Sequence, residues 1–142
     1  MSIRPISNIR KYEKILNEWK QFAPDLVSHF PERIPPDAKS IDFYFMPGFL
    51  QADSEIQLRF KTTHKKIEEY YDRFSKFATK TFRDRPFVHF KPHQKFGEVV
   101  ELGKDFETFQ FEKDPNHIPE HGKEHGVIIS REKNEIIFWA EW

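Results

Sequence analysis

Residues 126–142 read Gly-Val-Ile-Ile-Ser-Arg-Glu-Lys-Asn-Glu-Ile-Ile-Phe-Trp-Ala-Glu-Trp, two apolar runs separated by a short polar one. The pattern predicts two antiparallel strands joined by a tight turn. Apolar residues continue through Phe138, Trp139, Ala140 and Trp142, unlike a frayed, polar tail. This end is therefore expected in the core, and residues 1–142 are expected to form one complete domain. A two-residue turn at Lys133 and Asn134 would set Glu132 against Glu135, like charge against like. A three-residue turn with Asn134 in the left-handed region pairs Arg131 with Glu135 instead, and is the expected one. In that register Ile128, Ile136, Phe138 and Ala140 share one face, and Val127, Ile129, Ile137 and Trp139 the other. Both faces are apolar, so the hairpin is expected to be covered on both sides or central to a sheet.

A second hairpin is readable from alternation. Residues 40–46 and 55–61 both alternate with period two and are joined by residues 47–54. With Met46 opposite Glu55, Phe45 faces Ile56, Phe43 faces Leu58 and Ile41 faces Phe60 on one apolar side. Tyr44 then faces Gln57, and Asp42 faces Arg59, on the other. A one-residue slip would mix the two faces, so the pattern selects this register.

Helical periodicity marks two further segments. In residues 7–23, Ile9, Tyr12, Ile15, Leu16, Trp19, Phe22 and Ala23 recur at steps of three and four, with Ser7 or Asn8 as cap and Pro24 beyond. In residues 63–80 the stripe is Ile67, Tyr70, Tyr71, Phe74, Phe77 and Ala78, capped by Thr63. Residues 24–39 carry four prolines and read as an extended connection with a turn of helix near 25–29. Residues 83–97 read as loop, with a short edge strand at 87–90. Residues 97–102 and 106–112 read as strands turned by 103–105, and 113–125 as a polar loop. There is no βαβ alternation, so the expected class is α+β: a mostly antiparallel sheet with two main helices on one face.

Composition narrows the function classes. The chain has no cysteine, which excludes disulfides, thiolate metal sites and cysteine nucleophiles. Its formal net charge is +0, which argues against general nucleic-acid binding. No apolar run has the length of a signal peptide or a membrane helix, so the expected location is cytoplasmic, with no membrane partner. Sixteen Phe, four Tyr and three Trp supply burial that the sparse aliphatics do not. An aromatic core is the expected use of these rings.

Three constellations are candidates for chemistry. His117, His121 and His125 recur every fourth residue among Asp114, Glu120 and Glu124, donors suited to zinc or nickel. Pro119 and Gly122 break any helix there, and the H-E-x-x-H pattern is absent. The expectation is a solvated loop, with no cofactor. Residues 59–95 hold eleven Lys and Arg against four acids, and residues 98–142 hold five against eleven. Lys65, Lys66, Lys76, Lys80, Arg83 and Arg85 form a basic set that suits an acidic protein partner. Tyr44, Gln57 and Arg59 form the polar side of the first hairpin, expected to face solvent and able to grip a carboxylate or amide, with Phe49 and Leu50 beside it.

Residues 29–38, His-Phe-Pro-Glu-Arg-Ile-Pro-Pro-Asp-Ala, and residues 47–59, Pro-Gly-Phe-Leu-Gln-Ala-Asp-Ser-Glu-Ile-Gln-Leu-Arg, are similar to a pattern in uncharacterised bacterial proteins. Those carry H-F-P, I-P and A, then P-x-F-L-Q and I-Q-L-R. The resemblance covers about a quarter of the chain. It implies a bacterial origin and no particular reaction, and it adds His29 to the Tyr44, Gln57 and Arg59 set. The expected function is a non-enzymatic interaction domain, an accessory or immunity-like protein that binds another protein. The alternatives are a small-ligand binder anchored by Arg59 and Gln57, and a metal-dependent hydrolase built on the His117–His125 loop.

Overall fold

The computed structural model describes residues 5–48, 54–83, 105–111 and 124–142. Its centre is a six-stranded antiparallel sheet: β1 Lys39–Met46, β2 Glu55–Lys61, β3 Lys80–Arg83, β4 Glu107–Gln110, β5 His125–Ser130 and β6 Glu135–Glu141, in the spatial order β1-β2-β6-β5-β4-β3. The class is α+β, as the pattern of elements requires. Every residue of β6 is buried, and β5 and β6 fill the middle of the sheet. The two-sided apolarity of residues 126–142 is explained by that central position. The strands expected at 87–90 and 97–102, and the loop residues Phe49 and Leu50, lie outside the described residues.

The first hairpin pairs as its alternation demands: Met46 with Glu55, Phe45 with Ile56, Tyr44 with Gln57, Phe43 with Leu58 and Asp42 with Arg59. The expected Ile41–Phe60 pair does not continue the ladder. A bulge between Lys39 and Asp42 shifts the register, with Ser40 at φ 51°. Ile6 exchanges two backbone hydrogen bonds with Phe45 (2.7 and 2.8 Å) and so covers part of the outer edge of β1.

The second hairpin departs from expectation by one residue. Ser130, not Arg131, pairs with Glu135, and residues 131–134 form a four-residue turn. Asn134 is left-handed at φ 53°, as expected. The longer turn frees Arg131 to leave the ladder. Its guanidinium donates two bonds of 2.8 Å to Glu68 and lies 4.4 Å from the Tyr71 ring centre. The Ser130 hydroxyl accepts from the Lys133 N–H. The shift moves Ile128 to the face of Ile137 and Trp139, and Val127 and Ile129 to the face of Ile136, Phe138 and Ala140.

Three helices pack on the second of these faces: α1 Tyr12–Phe22, led by a 3-10 turn at Ile9–Lys11, the four-residue α2 Pro24–Val27, and α3 His64–Phe77. Asn8 and Thr63 accept the capping N–H groups of the 3-10 turn and α3. Tyr12, Ile15, Leu16 and Trp19 of α1, and Ile67 and Phe74 of α3, join Phe43, Ile56, Leu58, Phe60, Ile136 and Phe138 in one core. α3 ends at Phe77, short of the expected residue 80: the Ala78 N–H makes the last helical bond, to Phe74, and the Ala78 backbone then turns extended at ψ 131°. Thr79 then donates from both N–H and hydroxyl to the Gln110 carbonyl, and the chain enters β3.

The opposite face of the sheet is different in kind. Phe106, Ile128, Ile137 and Trp139 form a small apolar cluster there. Buried Gln57, Thr108, Gln110, Ser130, Glu135 and Glu141 share that face by register. Gly126 makes room for Trp139 on it: a Cβ at Gly126 would lie 2.1 Å from the Phe109 carbonyl oxygen and 2.5 Å from the indole. No helix among the described residues is long and apolar enough to cross a membrane.

Candidate functional site

Between α3, the segment after α2, and the ends of β4 and β5 lies a cleft of about 510 Å³. Ser28, His29, Phe30 and Pro31 form one wall, Tyr70, Arg73, Phe74 and Phe77 the other, and Phe111 and His125 close its base. Local sequence explains each placement. Pro24 starts α2 at its first helical turn, and the helix stops after Val27, which turns His29 back onto the sheet. On α3, Tyr70, Phe74 and Phe77 follow at steps of four and three, so they share one side with Arg73 between them.

His29 lies on the sheet with its Nε2 3.0 Å from the Trp139 carbonyl oxygen. A carbonyl only accepts, so the neutral ring carries its proton on Nε2 and leaves a lone pair on Nδ1. Burial, reinforced by the nearby His125, pushes the His29 pKa down to about 3, against the opposing pull of the Trp139 and Gly126 carbonyls. Burial also lowers His125 to about 4, although Asp25 pulls the other way. The two rings stand 5.5 Å apart, and both are neutral at physiological pH. Nδ1 of each is buried without a hydrogen-bond partner among the described residues. Phe30 and Phe111 pack against His29 at 4.7 and 5.3 Å.

The other wall is flat and cationic at its lip. Tyr70 and Phe74 stack at 5.9 Å with an interplanar angle of 3°. The Arg73 guanidinium carbon lies 5.3 Å from the Tyr70 ring centre and 4.7 Å from that of Phe74. Phe77 is 69% exposed, unusual for so large an apolar ring.

The sequence-based set of Tyr44, Gln57, Arg59 and His29 is split by the sheet. His29 lies on the helix face, in the cleft. Tyr44, Gln57 and Arg59 lie on the opposite face, and they do not line an open solvent surface: Tyr44 and Gln57 are buried. Gln57 donates to Glu55, and Arg59 forms an ion pair with Glu135 at 2.9 Å. The cause is the buried second face of the central hairpin, against which β2 pairs. Burial there raises the Glu55 carboxyl to about 7, with the Gln57 bond pulling it down. The basic set is partly spent within the fold: Lys66 pairs with Asp37 at 3.0 Å, and Lys76 with Asp72 at 3.2 Å. Lys65 is exposed on α3, Lys80 and Arg83 on β3, and Arg85 lies outside the described residues. Of the histidine loop, His117 and His121 lie outside the described residues, and His125 sits in the cleft. Among the described residues no group of three or more His, Asp or Glu side chains is placed to hold a metal ion.

Sequence reasoning assigned Tyr70, Phe74 and Phe77 to a buried stripe and passed over Arg73 and Phe111. One signal was available. The α3 stripe is wider than a four-turn helix needs, and of its helical positions only Ile67 and Phe74 are buried. Comparison with family models, with curated proteins and with solved structures returns no match.

Proposed function

We propose that this protein binds a small, largely apolar organic molecule in the aromatic cleft. One observation carries the reading: a concavity of about 510 Å³ whose walls are Phe, Tyr and Pro rings and whose base holds two uncharged histidines. Ligand sites of roughly 300–1,000 Å³ typically combine apolar walls with a few converging polar groups. Flat rings at both sides favour a flat ligand, because offset and edge contacts each add about 0.5–1.5 kcal/mol beyond burial. The neutral imidazoles accept or donate hydrogen bonds without the desolvation cost of a charge.

Thermal melting against a panel of small aromatic and aliphatic compounds tests this. A compound at a hundred times its dissociation constant adds about 2.7 kcal/mol and raises the midpoint by several degrees. The shift is expected to shrink in Phe77→Ala, a change at an exposed ring that leaves the unliganded midpoint nearly unmoved. A panel without any shift, or shifts indifferent to Phe77, would reject the cleft as the site. A protein partner is the second reading, favoured by exposed Phe22 and Trp142, whose rings meet at 5.6 Å on the surface.

A further inference from the structure

The charge inventory of the cleft is lopsided. Among the described residues, its lining holds one permanent cation, Arg73, and no Asp or Glu. The two histidines are neutral, so neither supplies a second positive charge. Arg73 makes no ion pair among the described residues, whereas its neighbours on α3 are matched: Lys66 with Asp37 and Lys76 with Asp72. Glu69, one turn before Arg73 on α3, lines an adjoining hollow with Lys66, Tyr70 and Arg73 itself, but it is not among the residues that line the cleft, and no ion pair joins it to Arg73 among the described residues. The guanidinium carbon lies over the Tyr70 and Phe74 rings, and a cation–π contact of this kind consumes none of the N–H groups that a bidentate acceptor would use.

We infer that the cleft takes a monocarboxylate with a flat or apolar body, its carboxylate gripped by Arg73 and its body lying between Phe30, Tyr70, Phe74 and Phe111. This rests on the reading of the cleft as a small-ligand site. A single guanidinium neutralises a single negative charge. A phosphate monoester carries about −1.5 to −2 and would leave charge uncompensated against aromatic walls.

Matched pairs of probes separate this inference from the broader reading. Indole-3-acetate, 4-hydroxyphenylacetate and octanoate are titrated calorimetrically beside their neutral amides, with phenyl phosphate as a further arm. At least one acid is expected to bind about tenfold tighter than its amide, the effect of one charged hydrogen-bonded contact. The preference is expected to vanish in Arg73→Gln and to survive in part in Arg73→Lys, which keeps the charge and loses the fork. Arg73 is exposed, so both variants are expected to fold, and their melting curves check this. Acids and amides binding equally, and both weakened by Phe77→Ala, would overturn the carboxylate while the cleft stands. Tighter binding of phenyl phosphate would overturn the single-charge argument. No binding by any probe would overturn both.

Discussion

Gly126 shows how one missing side chain sets the packing of a sheet face. The Trp139 indole and the Phe109 carbonyl fill the space that any Cβ would need. Backbone cannot move aside as a flexible side chain can, so Gly126→Ala is expected to cost about 1–3 kcal/mol, read from urea denaturation. Arg59 sits nearby in the ladder, with its side chain 20% exposed and that of its partner Glu135 7% exposed. Arg59→Ala is expected to lower stability by about 1.5–3 kcal/mol, because it strands a buried carboxylate. A double variant, Arg59→Met with Glu135→Met, is expected to recover most of that loss. An exposed pair would instead lose ~0.2–1 kcal/mol in the single variant and recover nothing in the double.

The two hairpins differ in how much of their pairing could be read in advance. In β1 and β2 the apolar residues alternate with polar ones, so only one register gives a clean face, and that register forms. In β5 and β6 both faces are apolar. Alternation is then silent, because a one-residue slip exchanges one buried set for another. Turn chemistry alone was left to decide, and it misjudged the length. What decided it lies far away in the sequence: the Glu68 carboxylate and Tyr71 ring on α3 that receive Arg131. The cleft was hidden for the same reason. Its walls come from the segment after α2, from α3 and from the β4 and β5 ends, and no local spacing links His29 to His125. Truncation after Ile137 removes the second half of the strand that joins β2 to β5. The shortened chain is expected to show no cooperative melt by circular dichroism. A sharp transition would mean that β6 is dispensable.

Three buried groups whose shifts span the range from acid to neutral pH, His29, His125 and Glu55, should give the stability of the whole molecule a peak in pH. An unfolded histidine takes a proton below about 6.5, whereas His29 and His125 in the fold resist until about 3 and about 4. The unfolded state then binds more protons, so stability falls as pH falls below about 6.5. Each histidine contributes about 1.4 kcal/mol per pH unit. Glu55 acts in the opposite sense. Unfolded it ionises above its ordinary value of 4.5, folded only above about 7, so its share of stability falls as pH rises through that window. Between about 4.5 and 6.5 the two histidines outweigh the one carboxyl, and from about 6.5 to 7 the carboxyl acts alone. Denaturation curves across pH are therefore expected to peak near 6.5. Glu55→Gln should erase the alkaline decline, and His29→Gln should flatten the rise between about 4.5 and 6.5, because His125 and Glu55 then cancel. A flat profile would mean that these groups are solvated.

The order of the strands has a further bearing on how the protein is made in a cell. β5 and β6 follow every other strand in the chain, yet they occupy the middle of the sheet. During synthesis the β1–β2 hairpin and the α3 segment emerge first, and the inner edge of β2 stays unpaired until β6 clears the ribosome. For that interval the nascent chain displays Ile56, Leu58 and Phe60 beside open backbone groups, the combination that invites pairing with a neighbouring chain. Slowing translation upstream of residue 135 should then raise the aggregated fraction, and a chaperone that shields the β2 edge should lower it.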